Sequence, residues 1–337
     1  MRYLLCVPCA LGLALAPLRP ALAQSTRQRV GRAELSPQAE AAIDKGLDYL
    51  ATHQNSDGSW GSKYQSAATS LALMAFMLKG HFPERGRHGD LLERAVDFLI
   101  RRSEEGGGYF GGTSHGMYEH GLATLALAEV WGMSDNPKIR DTLKRAVQII
   151  LRSQNHEGGW RYHPRPNDAD ISVTVMELVA LASAQEAGIL VPNNVIEKAV
   201  EYVKRCHHQY DGGFSYQPGS RTPRLSSTAA GVMSLQMCGQ RECKEVREGL
   251  ARLLRFPESH FEKTDFYYYA HYYAIQAMYQ AGEKHYQQWY PRIQEALLAK
   301  QREDGSWSGG RGGTCVSTPM AILVLGVPYR FLPIYQR

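Results

Sequence analysis

Acidic, histidine and tyrosine side chains that could bind or transform a ligand gather in three short parts of the chain. They are Tyr118-Glu119-His120, the pair Asp168 and Asp170, and the run from Asp265 to Tyr273 that contains Tyr268, Tyr269 and His271. Aromatic faces stabilise a carbocation by about 1–2 kcal/mol for each desolvated ring. Tyrosines with acids and histidines equally suit a carbohydrate or peptide, and a carboxylate pair suits its hydrolysis. A purely structural role, in which the tyrosines fill the core, is the third interpretation.

A glycine–aromatic segment recurs at roughly fifty-residue intervals and sets the framework for these side chains. Its five copies are residues 54–61, 105–112, 154–160, 209–214 and 301–307. A fixed period of this length indicates copies of one supersecondary unit. Glycine permits positive φ angles, and the glutamine that opens most copies can bond exposed groups at helix ends. We therefore expect these segments to hold the fold together rather than to catalyse.

Each segment is preceded by an amphipathic helix pattern and followed by a helix that is almost uncharged. The predicted outer helices are 42–50, 92–100, 143–150, 196–203, 246–254 and 291–300, and the predicted inner helices are 67–78, 122–130, 171–184, 228–237, 266–280 and 315–325. Helices that are apolar on nearly all faces belong inside a domain. Six pairs predict an all-α fold, an (α/α)6 toroid. An open solenoid would need polar capping repeats, whereas this chain ends in an apolar tail, residues 331–335.

In such a ring the starts of the inner helices surround a common funnel. Aligning the inner helices by their apolar runs puts His120 level with His271, and Tyr118 level with Tyr269. We therefore expect the two Tyr-x-His pairs to form one polar wall.

The segments Gln54–Trp60, Gln154–Trp160 and Gln301–Trp307 resemble the Gln–Trp motifs of the terpenoid cyclase and protein prenyltransferase superfamily. The resemblance covers nearly all of the chain after its first residues. It is strongest to exported, single-toroid prenyltransferase and squalene oxidase repeat proteins. It implies the toroid fold, while one such ring serves several chemistries and some binding proteins.

Asp168-Ala169-Asp170-Ile171-Ser172 resembles the Asp-x-Asp-Asp-Thr segment with which squalene–hopene cyclases protonate an alkene. The resemblance implies that Asp170 is the acid and Asp168 its supporting carboxylate. Ile171 and Ser172 replace the third aspartate and the threonine, which removes part of the support that so strong an acid needs. Apart from the resemblance, Asp170 suits the N-cap of helix 171–184.

Protein prenylation and thioester chemistry are not expected. Asp265-Phe266-Tyr267 is similar to the Asp-Phe-Tyr-His stretch of protein prenyltransferases, but Tyr268 stands where the zinc-binding histidine should be. The Asp-x-Cys ligands are also missing near residues 225–227, and zinc needs about four ligands. The Gly-Cys-Gly-Glu-Gln signature of thioester domains is absent. We expect no metal and no cofactor.

The first residues predict export. Arg2, an apolar run over residues 3–15 and Ala21-Leu22-Ala23 form a signal peptide pattern for residues 1–23, leaving one domain over residues 24–337. The expected location is periplasmic or secreted, with a retained N-terminal anchor as the alternative. The net charge of +5 is scattered, which argues against a nucleic-acid partner.

Four cysteines follow the predicted signal: Cys206, Cys238, Cys243 and Cys315. An even number in an exported chain predicts disulfides. Cys238 and Cys243 flank a tight loop and are the easiest pair, which leaves Cys206 for Cys315.

Two function hypotheses result. The first is a diverged isoprenoid cyclase, of terpene cyclase/mutase type, that uses Asp170 as proton donor, Asp168 as support and a funnel wall for its substrate. The expected wall residues are Tyr118, Glu119, His120, Asp265, Tyr268, Tyr269 and His271. The second is a non-catalytic scaffold of the cell envelope that binds a peptide or glycan in the funnel, or a hydrolase of such a ligand. Contact with a membrane surface fits either hypothesis, and the sequence leaves the oligomeric state open.

Overall fold

The computed structural model describes residues 35–329, except for residues 113, 135, 221, 258–260, 262, 265 and 311. This part of the chain forms twelve α-helices and a final 3-10 turn, Val327–Tyr329. The helices are α1 (Pro37–Thr52), α2 (Gln65–Leu78), α3 (Gly89–Glu105), α4 (Gly116–Trp131), α5 (Pro137–Ser153), α6 (Ile171–Glu186), α7 (Asn193–Arg205), α8 (Leu225–Met237), α9 (Lys244–Leu254), α10 (Tyr267–Gln280), α11 (Glu283–Leu298) and α12 (Thr314–Leu325). The prediction of an all-α fold of six helix pairs is confirmed.

The odd-numbered helices form an outer layer and the even-numbered helices an inner layer. From Ile171 to Ala184, α6 buries every residue except Ser172, as expected for a helix that is apolar on nearly all faces. By contrast, α7 buries only four residues on one side. The difference follows from composition, because charged side chains occupy the solvent side of each outer helix.

The inner helices close into a ring. Each packs on the inner helices before and after it, and α12 packs on α2. The Gln301 side chain also joins the last helix pair to the first, because its Nε2 donates to the carbonyl of Ala42 in α1 at 2.8 Å. The closed toroid is therefore observed, rather than an open solenoid.

The glycine–aromatic segments bind each pair to the next, as the third copy shows. Gln154 Nε2 donates to the carbonyls of Gly158 within the turn and Val195 in α7, both at 2.9 Å. Gly158 has a φ of 89°, and a Cβ there would lie 2.4 Å from the carbonyl oxygen of Lys198. Trp160 is fully buried, and its Nε1 donates to the carbonyl of Ile150 at 2.8 Å. The expected structural role of these segments is confirmed.

Predicted helix starts came too late, by eight residues in α11 and by six residues in α4 and α5. Helix α11 begins at Glu283 instead of residue 291, because Pro291 lies inside the helix and not in its first turn. Tyr286, Trp289 and Ile293 bury one continuous face, and this packing offsets the hydrogen bond that proline removes. Helix α4 begins at residue 116 instead of 122, so Tyr118, Glu119 and His120 belong to the helix itself.

The expected disulfides are not formed, since none of the four described cysteines is in a disulfide bond. Cys206 ends α7 and is buried against Tyr202, whereas Cys315 lies in α12 beside Gly61 of the first repeat. These surroundings belong to different parts of the ring, which explains why the pair chosen by elimination does not meet. Cys238 and Cys243 cap the ends of α8 and α9 as separate thiols.

The predicted signal peptide and the apolar tail 331–335 lie outside the described residues. Within the described part, no helix combines the length and the apolar character that crossing a bilayer requires.

Candidate functional site

One position near the start of each inner helix binds the backbone of the preceding segment, and we call it the turn-binding position. Four repeats place a threonine there, whose Oγ1 accepts the amide N–H of the segment's aromatic residue. The pairs are Thr69 with Trp60 at 3.1 Å, and Thr174 with Trp160, Thr228 with Phe214 and Thr318 with Trp307, each at 3.0 Å. The hydroxyl is therefore part of the ring's repeated framework.

Histidines occupy the turn-binding position in α4 and α10. Nδ1 of His120 accepts the N–H of Phe110 at 3.3 Å, so Nε2 carries the proton that it donates to Ala146 of α5 at 3.0 Å. His271 Nε2 bonds the carbonyl of Phe261 at 2.8 Å, and its ring packs on Trp289 of α11. Burial lowers the pKa of each histidine to about 4, so both are neutral at pH 7.

These contacts correct the expected position of the two histidines. His120 and His271 are equivalent within their repeats, as the alignment indicated, but both side chains point to the outer helices. They lie in the packing between the two layers, away from the funnel.

Two further residues expected at the funnel hold neighbouring loops. Glu119 is buried, and its Oε1 accepts the N–H of Gly112 at 3.3 Å. The Tyr268 hydroxyl donates to the carbonyl of Ser308 at 3.1 Å, and burial raises its pKa to about 12. Asp265 lies outside the described residues.

Asp170 caps helix α6 and is fully buried. Its Oδ1 accepts the backbone N–H groups of Ser172 at 2.9 Å and Val173 at 3.0 Å, and the Ser172 hydroxyl at 2.5 Å. The other oxygen, Oδ2, lies 3.4 Å from Nε of Arg161, and the Tyr216 hydroxyl also faces this carboxyl group. One oxygen thus serves the helix cap, while the second lies towards Arg161.

Opposing influences act on the acidity of Asp170. Burial raises its pKa above the usual value, because the charged form is poorly solvated. The hydrogen bonds from Ser172 and Val173 and the charge of Arg161 act in the other direction. The raised pKa means that burial outweighs these contacts in the resting protein.

Arg161 joins Asp170 to Asp168. Its NH1 lies 3.1 Å from Oδ2 of Asp168, whose side chain is 59 % exposed. The guanidinium carbon also lies 4.9 Å from the ring centroid of Tyr162 and 5.6 Å from that of Tyr216. Arg161 therefore fixes both aspartates and two tyrosines in one arrangement.

Four tyrosines surround the buried carboxyl group. Tyr118 hydrogen-bonds Ser172, its ring centroid is 6.2 Å from that of Tyr162, and the hydroxyls of Tyr162 and Tyr216 are hydrogen-bonded. Tyr269 approaches Tyr118 and Asp170 from α10. Burial raises the pKa of Tyr118 and of Tyr269 well above the usual value, yet both rings keep some accessible surface. Both side chains are therefore half-buried beside the carboxyl group. We call this set the funnel cluster: Tyr118, Arg161, Tyr162, Asp170, Tyr216 and Tyr269.

The sequence pointed to Asp170, Asp168, Tyr118 and Tyr269 but missed three members of the site. Arg161 and Tyr162 follow Trp160 directly, and Tyr216 lies two residues after Phe214. The backbone holds both tyrosines in place, because their carbonyls accept the N–H groups of Met117 and Ile171. A tyrosine two places after the segment's aromatic residue occurs only in these two copies, and that exception was the available signal.

Residues 44–257 match the family described as the prenyltransferase alpha-alpha toroid domain. The chain belongs to this family. The chain is similar to drimenyl diphosphate synthase of Streptomyces showdoensis, with 25 % identity over 187 residues that cover 54 % of this chain and 34 % of that protein. It is also similar to lanosterol synthase of Pneumocystis carinii, with 25 % identity over 136 residues that cover 37 % and 18 %. The toroid protein thus spans about a third or less of the length of these relatives.

Two kinds of solved structure share the fold of the toroid protein. The α-1,6-mannanase of Salegentibacter sp. HEL1_6 superposes with a TM-score of 0.63 at 8 % identity, covering 86 % of this chain and 98 % of that one. A type II terpene cyclase from Scytonema superposes with a TM-score of 0.58 at 14 % identity, covering 88 % and 99 %. At these identities the likeness shows the fold alone.

Proposed function

We propose that this protein is an isoprenoid cyclase in which Asp170 protonates an alkene of the substrate. The observation that carries the proposal is the fully buried Asp170, whose second oxygen is left free of the helix cap and lies beside Arg161 and Tyr216. The similarity to drimenyl diphosphate synthase and lanosterol synthase supports it.

The first step transfers one proton. The carboxyl proton of Asp170 adds to an alkene carbon, whose π electrons form the new C–H bond and leave a carbocation. A second double bond then attacks this cation to close a ring. Loss of a proton to water gives a neutral cyclic alkene, and Asp170 regains a proton from solvent. The net reaction is an isomerisation.

The surroundings of Asp170 suit both the protonated acid before the transfer and the carboxylate after it. Burial raises its pKa, which favours the protonated form before transfer. After transfer, the carboxylate accepts the N–H groups of Ser172 and Val173 at the start of α6 and lies beside Arg161. Charge-assisted hydrogen bonds and a helix N-terminus both favour the anion. These contacts would stabilise the carboxylate in place of the third aspartate, whose position Ile171 occupies in this chain.

The tyrosines of the funnel cluster would then stabilise positive charge. The partly exposed rings of Tyr118, Tyr162, Tyr216 and Tyr269 come from three sides of Asp170. A well-placed, desolvated ring stabilises a cation by about 1–2 kcal/mol.

Product analysis tests the proposal. The full-length protein is incubated with farnesol, geranylgeraniol and squalene in mild detergent, and the extracts are analysed by gas chromatography with mass spectrometry. We expect a cyclic isomer from at least one substrate. Asp170→Asn should abolish it while keeping the fold, because asparagine is an equally good N-cap. Asp141→Asn, at an exposed aspartate on α5, is the matched control and should retain turnover. Unchanged substrates with folded wild-type protein, or full turnover by Asp170→Asn, would contradict the proposal.

Glycan binding or hydrolysis is the second candidate, favoured by the two aspartates that Arg161 holds together at a half-open tyrosine wall. The mannanase with the same ring fold was solved with α-1,6-mannotriose. A hydrolase would release shorter sugars from α-1,6-mannan. A binding scaffold would show saturable binding without turnover, and Asp170→Asn would change its affinity little.

We also propose that the protein is exported, on the strength of the pattern in residues 1–23. N-terminal sequencing of the mature protein should then begin at Gln24. A chain that still begins at Met1 would contradict cleavage.

A further inference from the structure

A second buried carboxyl group lies deeper along the same inner helix. Glu177 follows Asp170 by seven residues on α6, which is two helical turns, so it lies on nearly the same side of the helix. The rise of the helix places it about 10 Å further along the axis. The two acids are therefore arranged one behind the other.

The carboxyl group of Glu177 has no hydrogen-bond partner among the residues that the structure describes. The side chain is fully buried. On the facing helix α4, a Cβ at Gly121 would lie 3.1 Å from Oε2 of Glu177. Glycine at position 121 therefore lets α4 pack closely against the carboxyl group.

Glu177 lies between α6 and α4, within electrostatic reach of Tyr109 and Tyr273. Gly121 comes one turn after Tyr118 on α4, and Tyr273 comes one turn after Tyr269 on α10, with their two rings 4.7 Å apart. The charge of Glu177 would raise the pKa of Tyr273 across the ring, although α8 separates α6 from α10. Glu177, Gly121 and Tyr273 thus form a second layer beneath the funnel cluster.

The charge state of Glu177 limits the kinds of ligand group that it can bind. Burial raises its pKa well above the usual value, which favours the neutral carboxylic acid. A neutral acid donates one hydrogen bond and accepts others. Leaving such a group buried without a partner costs free energy, and a hydrocarbon ligand cannot relieve that cost. A ligand oxygen at this depth can.

We propose that Glu177 binds an oxygen atom of the ligand, so that the ring accepts an oxygenated isoprenoid in preference to a pure hydrocarbon. This inference rests on the proposed cyclase function and adds the substrate class. The oxygen of a prenyl alcohol or ether lies in the lower layer against Glu177, while an alkene of the same chain lies at Asp170.

Binding measurements on the full-length protein test this inference. Farnesol, farnesyl methyl ether and the C15 hydrocarbon β-farnesene are compared by native mass spectrometry in the same detergent. Wild type should bind the alcohol and the ether at least tenfold more tightly than the hydrocarbon. Glu177→Gln keeps a donor and should retain most of this ratio. Glu177→Met keeps the length and removes the polar atoms, so the ratio should fall to about one, and its ligand-free melting temperature should rise by a few degrees.

Glu129 gives a matched control. It is buried on the same inner layer, in α4, and has an interaction partner of its own. Glu129→Met should leave the ratio unchanged and should lower the melting temperature.

Two outcomes would overturn the inference. If wild type binds the three probes equally, or if Glu177→Met keeps the wild-type ratio, Glu177 does not recognise oxygen, and the cyclase proposal stands without it. If wild type binds none of the three probes while the protein is folded, the cyclase proposal fails and the inference fails with it.

Discussion

The two faces of the inner helices differ in how far their residues recur from one repeat to the next. At the turn-binding position, facing outwards, all six repeats carry a threonine or a histidine that bonds the preceding backbone. Two residues earlier the side chains differ from repeat to repeat, in the order Ala67, Tyr118, Ser172, Ser226, Tyr269 and Val316. Residues that recur hold the ring closed, whereas residues that interrupt the repeat form the funnel cluster.

The largest predicted effect is on turnover, and it should distinguish variants of the ligand site from variants of the turn-binding position. Asp170→Asn should reduce turnover by about 10²–10⁴-fold, the range of general acid catalysis, with little loss of stability. Thr174→Val, four residues away, leaves the amide of Trp160 without its acceptor and should cost about 1–3 kcal/mol of unfolding free energy with turnover retained. Product analysis and urea denaturation measure the two effects. The comparison breaks down if both variants lose activity and stability alike.

The buried tryptophans of the repeated segments should show the largest stability effect. Trp60→Ala, Trp160→Ala and Trp307→Ala should each cost about 3–5 kcal/mol, because each ring is fully buried and its Nε1 bonds a carbonyl of the preceding outer helix. Urea denaturation gives these values. Trp131→Ala, at a partly exposed site outside the segments, serves as the control and should cost less. Unchanged stability in all three variants would refute the structural role of the repeat.

The histidines at the turn-binding position should make stability depend on pH. Each has a pKa of about 4 in the folded protein, below the ordinary 6.5, because burial disfavours the charged form. Their contribution is complete above pH 6.5 and is lost as the pH falls towards 4, since the unfolded chain takes up protons first. The loss amounts to about 3 kcal/mol for each histidine.

Replacing both histidines with threonine, the residue of the other repeats, isolates this effect. The variant His120→Thr/His271→Thr should have a flatter dependence of the urea midpoint on pH between 6.5 and 4. An unchanged slope would place the two imidazoles in water rather than between the helix layers.

The smallest effect concerns a single hydroxyl in the funnel cluster. Tyr118→Phe keeps the aromatic face and removes the bond to Ser172, so turnover should fall by less than about tenfold. Tyr118→Leu removes the face and should reduce turnover further. Tyr49→Phe removes a hydroxyl that bonds Thr314 at the outer layer and should leave turnover unchanged. If Tyr118→Leu also leaves turnover unchanged, its ring has no part in stabilising the cation.

The fold was predictable because its determinants are local and repeated. Gln154, Gly158 and Trp160 make contacts with the next helix pair that their spacing already implied. The error over His120 and His271 has a simple geometric cause. Residues two apart on an α-helix point about 200° apart, so a Tyr-x-His pair cannot place both side chains in one funnel.

The missed part of the site depends on long-range folding. Arg161 and Tyr216 are separated by more than fifty residues of chain and lie in irregular segments whose course periodicity does not predict. They meet only because the carbonyls of Tyr162 and Tyr216 bind the starts of α4 and α6. Glu177 was missed for the opposite reason, since one acid within an uncharged helix does not reveal from sequence that it lacks a partner.

Photoaffinity mapping tests most directly whether the inward faces form the ligand site. The full-length protein is irradiated with a diazirine-bearing farnesyl ether, and the labelled residues are identified by peptide mass spectrometry. The account predicts labels at Tyr118 and Tyr269, lost on competition with farnesol, and none at His120 or His271. Labels confined to the outer helices, or labels that farnesol does not displace, would contradict it.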